Sequence, residues 1–158
     1  VAYALPLYRM LTRLGWLNNS LSLALVYCTI VLPFCVWLIK ENIDSIPYEL
    51  EESAILDGAG VARRILLVVM PLLLPALGTV ALLAMIMAWD EYFYALLFTS
   101  SKEAITLPVV IANLASGRQS NYNLIAAGGV IASTPPVLIG ILFQRALIRG
   151  LVQGGVKE

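Results

Sequence analysis

The sequence predicts an all-α protein, a polytopic bundle of membrane-spanning helices, and three observations predict it. Of 158 residues, 60% are apolar and 13% charged. Soluble domains average roughly 45–50% and about 25%, so a single globule of this length cannot bury the excess. Mean hydropathy is +0.87. The charges are also segregated, leaving three uncharged stretches of at least twenty residues.

Charge and composition exclude several functions. Ten basic residues balance ten acidic ones, so there is no bulk attraction to nucleic acid, and none is expected as a partner. There is no histidine, which removes Ser-His-Asp and Cys-His catalysis and every imidazole metal site. Cys28 and Cys35 are the only cysteines. On one helix they lie about 10 Å apart, too far to bridge, and read as lipid-facing or packed thiols. No cofactor and no metal site is expected.

The elements follow in order. The chain starts at Val1, and its first apolar stretch is interrupted by Arg9 and Arg13. A signal peptide would place charge ahead of an uninterrupted apolar core, so this start reads as a chain entered midway, with N-terminal sequence missing. Ser20 to Ile39 is twenty residues without a charge, and a helix of that length spans roughly 30 Å, the hydrocarbon thickness. Pro33 interrupts its hydrogen-bond ladder, a defect a helix bundle can satisfy.

Residues 40–64 form the one strongly polar region, with Glu41, Asp44, Glu49, Glu51, Glu52 and Asp57. Pro47 suits a first helical turn, and Glu49, Glu51 and Glu52 then sit near its positive end. Gly58 ends this helix of about three turns, on which Leu50, Ser53, Ala54 and Asp57 share a face. A second short helix resumes near Val61 and runs into the next span. On these residues alone, a solvated acidic loop and a surface shaped for docking both remain open.

Ile65 to Trp89 is the second span, twenty-five uncharged residues with Pro71 and Pro75 near its start. Leu107 to Ala115 is apolar but too short to cross and reads as interfacial or re-entrant. Leu124 to Phe143 is the third span. Its Gly128/Ala132 and Gly129/Ser133 pairs permit close approach of another backbone, and Pro135 and Pro136 follow. The loop and the tail 144–158 are separated by two spans and so share a side. They carry Lys40, Arg63, Arg64, Arg145, Arg149 and Lys157, against Lys102 and Arg118 in 90–123, which places loop and tail in the cytoplasm.

The string from Ile46 through Glu52-Ser53-Ala54 and Gly58-Ala59-Gly60 to Met70-Pro71-Leu72 resembles the EAA loop of permease subunits of binding-protein-dependent ABC importers. That pattern reads Glu-Ala-Ala, three residues, Gly, nine residues, Ile, one residue, Leu-Pro. Glu52-Ser53-Ala54, Gly58, Val68 and Met70-Pro71 fill it with spacing intact. Trp89-Asp90-Glu91-Tyr92-Phe93 resembles the Trp-Asn-Asp/Glu-Phe patch of the carbohydrate-importing branch, with Asp90 where Asn is usual. Phe143-Gln144-Arg145 and Arg149 to Lys157 resemble the terminus of its MalG-type sugar permeases.

The resemblance implies a type I importer permease fold of the MetI-like kind: here three spans, a cytoplasmic coupling helix and interfacial helices. It implies a multi-pass protein of a bacterial or archaeal plasma membrane. The partners it implies are a cytoplasmic ABC ATPase dimer, a second permease subunit and an extracytoplasmic solute-binding protein. Glu52 would contact the ATPase and Gly58 would form the turn, with Ser53, Ala54 and Asp57 beside them. Members of this branch usually have six spans, so three would be a C-terminal part. The chain has no Gly-x-x-x-x-Gly-Lys-Ser/Thr string, so ATP would be hydrolysed by the partner.

Trp89, Asp90, Glu91 and Tyr92 are candidates for contact with the transported solute or its binding protein, and an interfacial aromatic belt accounts for the aromatics equally well. Adjacent carboxylates about 100° apart on a helix make no nucleophile and acid pair, which disfavours a glycoside-cleaving enzyme. The remaining alternative is a membrane anchor whose acidic loop recruits a partner that is not an ATPase.

Overall fold

The computed structural model describes residues 3–101, 104–116 and 122–153, the last nine of these as helix backbone without side chains. Lys102, Arg118 and the stretch Gly154 to Lys157 therefore lie outside the described residues. Every element among the described residues is helical: α1 (Ala4–Arg13), α2 (Ser20–Asp44), α3 (Tyr48–Leu56), α4 (Val61–Arg64), a π-helical segment (Ile65–Val69), α5 (Met70–Trp89), α6 (Phe93–Phe98), α7 (Leu107–Ser116) and α8 (Tyr122–Gln153). Among the described residues, three stretches are long and apolar enough to cross a membrane: Ser20–Asp44, Val61–Trp89 and Tyr122–Gln144.

All three expected spans are present, and each helix extends past the limits set by the uncharged runs. Charged residues are good helix formers at a span's end, so loss of hydrophobicity does not stop the helix. α2 continues through Lys40 and Glu41 to Asp44, where Lys40 pairs with Asp44 one turn on. α8 continues past Phe143 to Gln153, so the segment read as a separate tail begins as helix. The prolines are absorbed in specific ways. Met70 donates its amide to the carbonyl of Ile65, five residues back. Pro71 follows with no N–H to give, and the wider π turn accommodates its ring at the preceding carbonyls.

Two compact units divide the chain, the boundary falling within α2, α5 and α8. The first comprises residues 1–31 and 86–138. Its core is Leu11, Leu23, Val26, Ala95, Phe98 and Val109. α1 was not expected as an element. It buries Ala4 and Leu11, packs Leu7 and Tyr8 against the same core, and leaves Arg9 and Arg13 exposed. These arginines thus form the polar stripe of an amphipathic helix rather than breaks in an apolar run. Tyr8 stacks on Phe98 at 6.2 Å. Asn18, at φ 57°, receives the amide of Ser101 on Oδ1 at 2.9 Å and gives its own amide to the Phe98 carbonyl at 3.0 Å. Asn tolerates this left-handed backbone where most residues do not. Asn19 Oδ1 accepts from Leu21 at 2.8 Å and starts α2.

The second unit comprises residues 32–85 and 139–158. Leu73, Ala76, Thr79 and Val80 form the buried stripe of α5. The start of α5 and the end of α2 flank a cavity of about 400 Å³ lined by Asn42, Ser45, Pro47, Leu50, Pro71 and Pro75, among others.

Candidate functional site

Two groups of residues stand out in the sequence, and the structure places each in a different setting. The first is the acidic loop, in the second unit. Pro47 sits one residue ahead of α3, with φ −58° and extended ψ, and Glu49 and Glu51 occupy the first turn, where their charge complements the helix dipole. Ser53 Oγ donates to the Glu49 carbonyl at 2.7 Å.

α3 closes with a specific turn. Ala59 donates its amide to the Ala54 carbonyl at 2.9 Å, and Gly58 donates to the Ile55 carbonyl at 2.9 Å. This reciprocal pair is the Schellman arrangement, which requires a left-handed residue just past the cap. Gly58 supplies it at φ +75°. The interval from Ala54 to Gly58 is therefore fixed by the geometry of a helix end, four residues from the third-last helical carbonyl to the glycine. α4 then begins at Val61, after Gly60 in an extended conformation.

No residue of α3 is buried. Glu52, Ser53 and Asp57 are exposed and Ala54 is half-buried. Tyr48, Ile55 and Leu56 are exposed as well, Leu56 by 88%. Polar and large apolar side chains together on an uncovered helix make a surface suited to a protein partner.

Two residues of this loop were not singled out from sequence. Arg64 Nη1 lies 4.0 Å from Glu51 Oε2, and Arg64 Nε is buried with no hydrogen-bond partner. The available signal was position: Arg64 is the last charge before the second uncharged run.

The second group, in the first unit, is Trp89 to Tyr92. Asp90 and Glu91 do not lie on one helix as expected; α5 ends at Trp89 and α6 begins at Phe93. Glu91 folds back on α6, its carboxylate accepting from the amides of Tyr94 at 2.9 Å and Ala95 at 3.1 Å. A carboxylate at this end satisfies amides the helix leaves unpaired. The Trp89 indole donates to the Ala132 carbonyl at 3.0 Å. Asp90 and Tyr92 are exposed. Behind this break lies a cavity of about 190 Å³ lined by Tyr27, Ala88, Trp89, Glu91, Thr106, Leu107 and Pro108.

Of the small-residue pairs on α8, Gly128 meets a side chain rather than the backbone expected: a Cβ there would stand 3.1 Å from Cγ1 of Ile111 on α7. Gly129 has open space around it. Cys28 is exposed and Cys35 half-buried, both free thiols.

Residues 2–153 match the family model described as binding-protein-dependent transport system inner membrane component. The chain is 36% identical over 158 residues to a putative ABC transporter permease protein of Streptomyces antibioticus, covering 100% of this chain and 69% of that one. It is 35% identical to the trehalose/maltose transport system permease protein MalG of Thermococcus litoralis, over 96% of this chain and 55% of the relative. The trehalose transport system permease protein SugB of Mycobacterium tuberculosis is 34% identical over 99% and 58%. The chain thus spans between about half and two thirds of the length of these curated relatives. With three helices among the described residues long and apolar enough to cross a membrane, and a match over nearly its whole length, the chain belongs to the family of binding-protein-dependent transport system inner membrane components.

Proposed function

We propose that this chain is the C-terminal part of an ABC importer permease that forms part of the transmembrane pathway for a sugar or oligosaccharide. Relatives named for trehalose, maltose and raffinose transport support the solute class. ATP is hydrolysed by a separate cytoplasmic ATPase pair. A second permease subunit completes the pathway, and an extracytoplasmic binding protein delivers the solute. The permease itself is a transport subunit, not an enzyme.

The observation that carries the coupling role is α3, a helix with no buried residue, closed by a rigid Schellman turn at Gly58. In this reading α3 docks on the ATPase, with Glu52 making polar contacts and Ser53, Ala54 and Asp57 shaping the seat. Nucleotide-driven closure of the ATPase pair then moves α3, and the packed helices switch between inward-open and outward-open states. Trp89, Asp90, Glu91 and Tyr92 lie at the other end of the second span, and of these Asp90 and Tyr92 have side chains free to meet solute or binding protein.

The test is solute uptake and ATPase activity in proteoliposomes holding the full-length permease with its neighbouring subunits. Glu52→Ala and Gly58→Val should assemble but lose uptake and binding-protein-stimulated hydrolysis together. If both activities survive in both variants, α3 is not the coupling element.

A further inference from the structure

α3 is held to the root of the second span by very little. It buries no side chain, and on the side of Pro47 and Leu50 it faces the 400 Å³ cavity rather than a packed core. Its covalent link to α4 is the turn at Gly58. The one ion pair between α3 and α4 among the described residues is Glu51 to Arg64, at 4.0 Å.

The arginine end of this pair is incomplete. Arg64 is only 21% exposed and its Nε is buried without an acceptor. A buried donor left unpaired is costly, and the guanidinium edge that faces Glu51 carries Nη1, which with Nη2 makes a fork that fits both oxygens of a carboxylate. Among the described residues Glu51 is the only acid within ion-pair distance. A small displacement of α3 toward α4 would convert the single 4.0 Å contact into a two-point pair through Nη1 and Nη2. Arg64 is also the residue immediately before the π-helical segment Ile65–Val69. Load arriving at Arg64 therefore enters the span at a wide turn that lies against Pro71, where the backbone is most easily re-bent.

We infer that Glu51 and Arg64 form a strut that closes when α3 is seated, passing the movement of α3 into the second span. Both are positioning residues: neither touches solute or nucleotide. The inference deepens the coupling reading and rests on it.

The experiment uses the full-length permease with its partner subunits in proteoliposomes, reading solute uptake per ATP hydrolysed. Glu51→Gln and Arg64→Gln should each lower that ratio about three- to tenfold, in the range of coupling between contacting charged residues. Arg64→Lys keeps the charge but lacks the two-nitrogen fork, and should fall between native and Arg64→Gln. The exchange Glu51→Arg with Arg64→Glu should restore the ratio to within about twofold of native, a rescue that a merely structural need for either side chain would not produce. Should the single variants fail to accumulate, the exchange still decides, since only a paired role recovers both assembly and uptake.

Uptake unchanged in the single variants, or an exchange no better than the worse of them, overturns the strut. If Glu52→Ala and Gly58→Val abolish coupling while these variants do not, the strut alone fails. If none of them matters, the coupling reading fails with it.

Discussion

The indole N–H of Trp89 donates to the backbone carbonyl of Ala132 at 3.0 Å, and that carbonyl is the one Pro136 would serve if proline had an N–H. In an α-helix the amide of residue 136 meets the carbonyl of residue 132. Pro136 removes the donor, and a side chain from the end of α5 replaces it. A proline pair that would weaken an isolated α8 thus becomes an attachment point between two spans of the same unit.

Trp89→Phe should therefore destabilise the assembled permease by about 1 kcal/mol or more, the cost of leaving a half-buried carbonyl without its donor. The background matters more than the magnitude. With Pro136→Ala the helix supplies its own amide to Ala132, so Trp89→Phe in that background should cost clearly less. Thermal unfolding of the detergent-solubilised complex, measured for the four members of this cycle, checks it; equal costs in both backgrounds would show that the indole serves something else.

Gly58 is required by conformation rather than by space. A Cβ at this position meets nothing within 4 Å, but the backbone is left-handed at φ +75°. Gly58→Ala should cost about 1–2 kcal/mol of local stability, Gly58→Val more, and Gly58→Asn least, because asparagine enters this region most readily among side-chain-bearing residues. Hydrogen exchange of the Ala59 amide, paired with Ala54 in the native loop, should accelerate in the order Asn, Ala, Val. A ranking by side-chain size alone, with Asn worse than Ala, would contradict the argument.

Much of this fold was legible in the sequence because lipid imposes a length. Uncharged runs of twenty and twenty-five residues admit few alternatives to a spanning helix. Pro47 and Gly58 bracketed α3 for equally local reasons. The parts that were not legible depend on distant partners. α1 was hidden because Arg9 and Arg13 look like interruptions until Leu7, Tyr8 and Leu11 are seen to share one face in the core with Phe98 and Val26. Asn18 clasps Ser100 and Ser101 from more than eighty positions away, and no local pattern encodes that. The Glu51 and Arg64 pair spans a turn whose geometry had to be known first. The end of the second span at Trp89 was legible, but the short helix α6 that follows was not, and the carboxylate of Glu91, read as a candidate for solute contact, is taken up by its start.

Glu91 consequently separates two roles. If its function is to cap α6, Glu91→Gln retains an oxygen that can accept from Tyr94 or Ala95 and should keep most of the uptake, whereas Glu91→Ala should cost about 1 kcal/mol of stability with uptake falling in step with the folded fraction. If the charge meets solute or binding protein directly, Glu91→Gln should lose uptake at native stability. Uptake normalised to the amount of assembled complex distinguishes these outcomes, and the two amide contacts at 2.9 and 3.1 Å favour the cap.

Gly128 and Gly129 look equivalent in the sequence, each opening a small-xxx-small pair, yet their surroundings differ. A Cβ on Gly128 would press on the side chain of Ile111 at 3.1 Å, whereas one on Gly129 meets nothing within 4 Å of this chain. The contact is to side-chain Cγ1 with Cδ1 at 3.6 Å, so Ile111 has to give by only a few tenths of an ångström and Gly128→Ala should be tolerated with a small loss. Gly128→Val cannot be absorbed without moving α7 and should cost about 1–3 kcal/mol, the usual range for overpacking. Shortening the opposing side chain should return part of that loss: Ile111→Ala with Gly128→Val should be more stable than Gly128→Val alone, although Ile111→Ala by itself removes apolar contact. Gly129→Val provides the contrast. If it destabilises the permease as much as Gly128→Val, then α8 is packed against a second subunit on that face, and the close approach to α7 is not what sets the need for glycine.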